Sequence, residues 1–502
     1  MKYLLGFDIG SSSVKVCLLN ATTGKTVASA QSPSVEMAIS TPQKGWAEQQ
    51  PETWWAELTN AMNLLRNKYL LRNKYNLNPQ DIGAVGISYQ MHGLVLVDKA
   101  QNVLRPAIIW CDSRAVDIGQ RAFSALGASF CLENYLNSPA NFTASKLAWV
   151  IENEPHIWAK TDKMMLPGDF IAMKLTGEVR TTVSGLSEGI FWNFRRRAVA
   201  QDLLDFYKIT QIVLPETVET FGNQGTVTAT AAAQLGLAVG TPVTYRAGDQ
   251  PNNAFSLNVL NVGEVAATAG TSGVVYGITE KADFDPQSRV NAFVHVNDSA
   301  AATRNGILLC LNGTAISNAW LRRVTGGLSY EAMNTEAAKI AVGTEGAVFL
   351  PFGNGSERIL NNQQVGAAFI GLDFNRHGAG HLFRAVQEGV VFALNYGLKI
   401  MQSVGVETKI VRAGRANMFL SPVFREAFAN TTGATIELFD TDGAAGAARG
   451  AGVGVGFYRH LSEAFVGLEK LETIEPKANL QAVYTEGYQN WLAVLEKQLI
   501  DV

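Results

Sequence analysis

The chain has 502 residues, 47% hydrophobic and 17% charged, enough for more than one sizeable core in a globular protein. A net charge of −3 gives no reason to expect nucleic acid or an anionic membrane as a partner. The four cysteines, Cys17, Cys111, Cys131 and Cys310, form no CxxC pair and show no metal-ligand spacing, so they read as reduced thiols. The apolar residues before Asp8 are too few for a signal peptide. No apolar, uncharged run reaches the roughly 18 residues of a membrane span, so a cytoplasmic protein is expected.

In chain order, strands alternate with helices, which favours an α/β architecture. Residues 4–10 and 13–19 read as paired strands around a Gly-Ser turn, followed by a turn at Thr22-Thr23-Gly24-Lys25 and a strand over 26–32. Pro51, with Trp54, Trp55, Leu58, Met62 and Leu65 behind it, predicts a helix with proline at its permitted first turn. That helix contains a tandem repeat, Leu64–Tyr69 followed by Leu70–Tyr75. Six residues are not a whole number of helical turns, so the second copy points elsewhere, as a duplication that lengthens the helix end. Buried strands are expected at 82–88, 94–97 and 107–110. The second half repeats the opening plan, with strand, Gly-Thr-Ser turn and strand over 264–278, then strands near 307–311 and 347–350. A helix from His381 to Ser403, a strand at 408–412 and a small-residue helix over Asp442 to Gly456 complete the reading. The natural cut falls between residues 255 and 256.

Three apparent motifs dissolve on inspection. Gly24-Lys25-Thr26 resembles the end of a P-loop, but the glycine required five positions earlier is Leu19. His377 and His381 are spaced like zinc ligands, yet glycines lie between them and no glutamate completes the pattern, so a helix start is the better reading. Gly450-Ala451-Gly452-Val453-Gly454 lacks the full dinucleotide fingerprint.

What remains is a coherent set. Each Gly-Ser/Thr hairpin leaves amides and hydroxyls able to face an anion, Ser11, Ser12 and Ser13 in the first, Gly270, Thr271 and Ser272 in the second. Asp8 ends a strand beside the first turn, where its carboxylate could hold Mg²⁺ or accept the turn's own amides. Lys15, on the returning strand, could reach phosphate or be a solvated strand charge. Asp249 stands at another strand end, as a catalyst or a helix N-cap.

The chain resembles the FGGY carbohydrate kinases, through Gly45-Trp46-Ala47-Glu48-Gln49 with Pro51–Trp55, Gln90-Met91-His92-Gly93, Leu104–Arg114, Lys146–Val150, Gly248-Asp249, Gly270–Gly273, Ser356-Glu357-Arg358 and Arg384–Gly389. The Gln-Met-His-Gly tetrad with Trp-x-Asp-x-Arg is the part that suggests a xylulose substrate. The resemblance implies two ribonuclease-H-like (actin-like) domains, residues 1–255 and 256–502, flanking a catalytic cleft. It implies sugar against the first domain and ATP against the second. It makes Asp249 the general base and Asp8 the acid that positions Mg²⁺. Sugar contacts carry over to Met91, His92, Trp110, Asp112 and Arg114. His92 could equally be a core or turn histidine, and Trp110 could be buried. Asp112 and Arg114 could pair while presenting hydrogen-bonding edges to the ligand. ATP contacts carry over to the two hairpins and to Gly414 and Asn417. Two departures stand out: Arg412-Ala413-Gly414-Arg415 where the family runs Gly-Gly-Gly-Ala, and Gln250 and Asn253 beside the base. The implied reaction is phosphorylation of D-xylulose at its terminal hydroxyl. Ribulose, fuculose or a sugar alcohol are the alternative acceptors, and a non-catalytic sugar or nucleotide sensor is the alternative class. A homodimer accords with the habits of cytosolic enzymes.

Overall fold

The computed structural model describes residues 2–73 and 76–500; Lys74 and Tyr75, which end the tandem repeat, lie outside the described residues. The chain forms two compact units, one made of residues up to Asn258 with Phe293–Arg304 and Thr441–Leu468, the other of Val259–Ala292, Asn305–Asp440 and the residues from Glu469 onward. The units are thus not two consecutive stretches divided at one point.

In the first unit, β1 (Tyr3–Ile9), β2 (Val14–Asn20) and β3 (Thr26–Ser32) form an antiparallel meander. Helix α1 (Pro51–Asn73) follows, burying Trp54, Leu58, Met62 and Leu65. In the repeat, Leu65 is fully buried while its counterpart Leu71 is 82% exposed, as the six-residue offset requires. Strand β4 (Ile82–Tyr89) pairs parallel with β1. Helices α2 (Thr143–Asn153), α3 (Pro167–Thr176) and α4 (Val183–Glu188) precede β5 (Val243–Gly248), parallel to β4, which leads straight into α5 (Asp249–Ser256). The sheet order is β3-β2-β1-β4-β5.

The second unit repeats that order. Strands β6 (Glu264–Ala269), β7 (Gly273–Thr279) and β8 (Asn305–Leu311) form the meander, and α6 (Ala315–Val324) and α7 (Ala379–Ser403) follow. Strands β9 (Ile410–Gly414) and β10 (Thr435–Phe439) add in parallel beyond β6. Two units with the strand order 3-2-1-4-5 are ribonuclease-H-like domains. His377 and His381 serve the start of α7: the His381 Nδ1 accepts from the Gly378 N–H at 3.1 Å and the His377 Nδ1 from the Asp373 N–H at 3.0 Å.

Helix α8 (Gly443–Gly454) then returns to the first unit, and β11 (Lys470–Ile474) ends the sheet of the second. The small residues of α8 have a steric reason. A Cβ on Gly6 of β1 would lie 1.8 Å from the Ala444 carbonyl oxygen, and one on Gly86 of β4 would lie 2.0 Å from that of Ala447. Helix and sheet touch backbone to backbone. On its other side a Cβ on Gly446 would meet Ser256 of α5 at 2.5 Å. This packing sets the N-terminus of α8 beside the end of β1.

Candidate active site

The β1–β2 hairpin places Asp8 directly opposite Lys15, so the two side chains share a face. The Ser88 hydroxyl of β4 donates to the Asp8 carboxylate at 2.9 Å. A Cβ on Gly443 would fall 2.6 Å from Asp8 Oδ2, so the carboxylate lies against the first turn of α8, where the helix dipole favours an anion. Asp442 caps that helix by accepting from the Ala445 N–H at 2.8 Å. Burial pushes the Asp8 carboxyl up from its ordinary range and Asp442 adds to this, while Lys15 and the Ser88 hydroxyl pull it down. Asp8 remains partly exposed. Neither Asp442 nor Gly443 was singled out from sequence, because the register of α8 on β1 is a tertiary fact.

Asp249 is the first residue of α5, with Gly248 in the capping position, so it is not the N-cap. Its carboxylate, also partly exposed, accepts from the backbone and side-chain N–H groups of Gln250. Its pKa is pushed up to about 7, by burial first and then by the like charge of Asp8. That coupling brings the two sequence-predicted acids into one site, and a carboxyl poised near neutrality suits a general base. Among the described residues no three His, Cys, Asp or Glu side chains gather to hold a metal by themselves. Mg²⁺ needs no such cage: one or two carboxylates with substrate phosphates suffice, and two mutually repelling carboxylates fit a cation.

Met91 and His92 follow β4. Met91 packs against the same turn, its Cγ 2.5 Å from where a Cβ of Gly248 would lie. His92 adopts φ 63°, a left-handed conformation that costs energy for a residue with a Cβ and clusters at functional sites. Its Nδ1 donates to the Glu188 carbonyl at 2.9 Å, which makes Nε2 the acceptor of the neutral ring. The ring packs edge-on against Phe142 at 4.9 Å and beside Phe293 at 5.4 Å. Buried Lys146 of α2 donates to the carbonyls of His92 and Ile109, at 2.9 and 3.0 Å, and so ties the His92 loop to the loop carrying Trp110. Desolvation lowers the Lys146 pKa to about 8. Gln90, 3% exposed, has no hydrogen-bond partner among the described residues at either end of its amide.

Trp110 is not buried: it is 53% exposed, and its indole N–H reaches Ser11 Oγ at 3.3 Å. Asp112 and Arg114 correct the expectation that they offer open edges to a ligand. Asp112 is fully buried, accepts from the Ala47 N–H at 2.6 Å, and is bridged by the Arg114 guanidinium at 2.7 Å. Arg114 also pairs with Glu48 at 2.8 Å and lies 3.8 Å over the Trp46 ring. An unpaired charge at that depth would be prohibitive, so these groups neutralise each other and hold the Gly45–Gln49 loop in place.

In the second unit, the turn from β6 to β7 carries Gly270, Thr271 and Ser272. The carbonyls of Gly270 and Thr271 accept from the Ala315 and Ile316 N–H groups at 2.9 and 3.3 Å, docking the turn on the start of α6. A Cβ on Gly270 would lie 3.5 Å from Asn417 Nδ2, so the turn and Asn417 do meet. Asn417 lines a cavity of about 250 Å³ with Ala315, Asn318, Asn334, Gln387 and Ser421. Asn318, which the sequence did not single out, keeps its buried amide oxygen without a partner among the described residues. Gly414 closes β9. Arg412, at a departure from the family pattern, is occupied by Glu437 at 2.9 Å and Glu264 at 3.1 Å. A larger surface cavity of about 780 Å³ in the first unit, beside Ala100–Pro106, holds none of the predicted residues, and its Glu52 and Lys174 neutralise each other at 3.0 Å.

Comparison with known proteins accords with this geometry. The FGGY family of carbohydrate kinases, N-terminal domain, matches residues 3–256, and its C-terminal domain matches residues 265–454. Xylulose kinase of Escherichia coli (strain K12) is 31% identical over 449 residues, covering 89% of this chain and 88% of that one. A xyloylose kinase from Brucella ovis superposes with a TM-score of 0.87 at 27% identity, over 99% of both chains. Gluconate kinase from Lactobacillus acidophilus shares the fold, with a TM-score of 0.87 at 21% identity over 99% of this chain and 98% of that one.

Proposed function

Since the chain belongs to the FGGY family of carbohydrate kinases, we propose that it transfers the γ-phosphoryl group of ATP to the terminal hydroxyl of D-xylulose, giving D-xylulose 5-phosphate. The observation that carries the chemistry is Asp249, a partly exposed carboxylate at the head of α5 with its pKa raised to about 7 beside Asp8. The choice of xylulose rests on the Met91-His92 turn and on the relatives' names.

Phosphoryl transfer passes through a loose transition state, so the protein chiefly positions groups and balances oxygen charge. Asp249 takes the proton of the attacking hydroxyl, which is the role its near-neutral pKa equips it for. Asp8 would hold Mg²⁺, directly or through water, and the ion would supply positive charge to neutralise the phosphates. Ser11, Ser12, Ser13 and Lys15 are the phosphate-binding groups of the first unit, and Gly270, Thr271 and Ser272 are those of the second. Asn417 and Asn318, in the cavity of about 250 Å³, read the base, together with Gly414 at the end of β9. Met91, His92 and Trp110 hold the sugar: imidazole Nε2 accepts from a hydroxyl, and the exposed indole offers its face to the apolar side of the ring-opened ketose. Asp112 and Arg114 act from behind, by fixing the loop that carries Glu48.

ADP release with ATP and Mg²⁺ over a panel of xylulose, ribulose, fuculose, gluconate, glycerol and xylitol tests the reading. Xylulose is expected to give the highest kcat/KM. Preference for another acceptor moves the substrate without touching the chemistry. Nucleotide binding with no product from any sugar would overturn the kinase assignment.

A further inference from the structure

One buried acid near the base takes no part in the transfer itself. Glu188 ends α4 and is 1% exposed. Its Oε2 lies 2.5 Å from the point a Cβ of Gly248 would occupy, so the carboxyl fills the space a side chain would take one residue before the base. Met91 contacts the same point from 2.5 Å, and the Glu188 carbonyl anchors His92 at 2.9 Å. One residue therefore touches the base-bearing turn with its side chain and the proposed sugar-binding turn with its backbone.

Its chemistry is set by what surrounds it. Glu188 forms no ion pair among the described residues, and its Oε1 has no hydrogen-bond partner there. The groups facing it are Tyr89 from β4 and the His92 backbone N–H, which both hydrogen-bond its carboxyl, and the two acids Asp249 from α5 and Asp169 from α3. Lys146 of α2 senses it but is engaged by the His92 and Ile109 carbonyls, and Arg246 of β5 stands 3.4 Å from Asp169. The other buried acids nearby differ: Asp112 and Glu48 each hold a guanidinium. A carboxylate this deep without a cation of its own is strongly disfavoured, which favours the protonated form. Desolvation first, then the charges of Asp249 and Asp169, act in that direction and outweigh the hydrogen bonds from Tyr89 and the His92 N–H.

Resting on the reading of Asp249 as base, we propose that Glu188 is a positioning residue: a neutral carboxylic acid wedged against Gly248 that fixes Asp249, Met91 and His92 in one arrangement without adding charge to the base. As a neutral acid it props the turn by shape and by its bond to Tyr89. As an anion it would repel the forming negative charge next door.

Three measurements on the full-length enzyme test this. Glu188→Leu, similar in size but unable to hydrogen-bond, is expected to lower kcat at least tenfold while leaving KM for ATP unchanged. Glu188→Gln, which keeps the shape and neutrality, is expected to restore kcat to within threefold of wild type, with the acidic limb of kcat/KM at the same pH. An infrared difference between wild type and Glu188→Gln at pH 8 is expected to contain the carbonyl stretch of a protonated carboxylic acid. Wild-type kcat in Glu188→Leu, a limb displaced to lower pH in Glu188→Gln, or absence of that stretch overturns the proposal. If Glu188→Leu fails to fold, the other two measurements still decide it. The infrared band reports Glu188 independently of catalysis, so failure of the Asp249 assignment is distinguishable: it shows as turnover in Asp249→Asn with the band intact.

Discussion

Asp249→Asn gives the most informative single perturbation, because it should damage activity and improve stability together. A carboxyl whose pKa moves from 3.8 unfolded to about 7 folded prefers the unfolded state once it is ionised. Below the unfolded value both states are protonated and there is no penalty. Between the two values the unfolded state is ionised while the folded one is not, so stability falls as pH rises. Above about 7 the penalty is complete. A shift of that size corresponds to at most roughly 4 kcal/mol, and partial exposure of Asp249 screens it to about half. About 2 kcal/mol should raise Tm by roughly 4–8 °C in a unit of this size. Thermal unfolding at pH 8 and at pH 5 measures it: the Asp249→Asn variant should melt higher than wild type at pH 8, with the gap shrinking markedly at pH 5. Turnover of the same variant should fall by about 10²–10⁴ with nucleotide binding nearly intact. A variant that melts below wild type at pH 8, or shows the same gap at both pH values, refutes the electrostatic argument. Near-normal turnover refutes the assignment of the base.

Wild-type kcat/KM should rise with pH through an apparent pKa near 7, the value belonging to the coupled Asp8–Asp249 pair and read from a pH-rate profile. Asp8→Asn should move that limb to lower pH, since the Asp8 charge is a cause of the elevation, and should depress kcat at every Mg²⁺ concentration in a metal titration. Asn318→Ala should raise KM for ATP roughly tenfold and leave KM for the sugar alone in steady-state kinetics, the cost of one hydrogen bond. Arg114→Ala strands buried Asp112 without its guanidinium, while Glu48 keeps Arg105 at 2.6 Å, and should lose about 3–5 kcal/mol in urea unfolding.

The residues that do local work were legible in the chain itself. The two Gly-Ser/Thr hairpins announce themselves because a tight turn between apolar strands is a local pattern, and the strands were found within a residue or two of where they lie. Asp8 and Asp249 could be named because each stands at or just past the end of a strand, where side chains reach the edge of the sheet. The order of motifs was enough to recognise the family, and with it the reaction class. Everything that depends on what comes opposite a residue was decided by the tertiary structure. Asp112 and Arg114 pair as the sequence allowed, but Asp112 is fully buried and presents no open edge to a ligand. The sequence showed α8 only as a small-residue helix; its backbone-to-backbone contact with β1 puts Asp442 beside Asp8 and returns a late segment of the chain to the first unit. Glu188 had no local signature at all. Burial energies and pKa shifts depend on distances between atoms remote in sequence, and no local pattern encodes those distances.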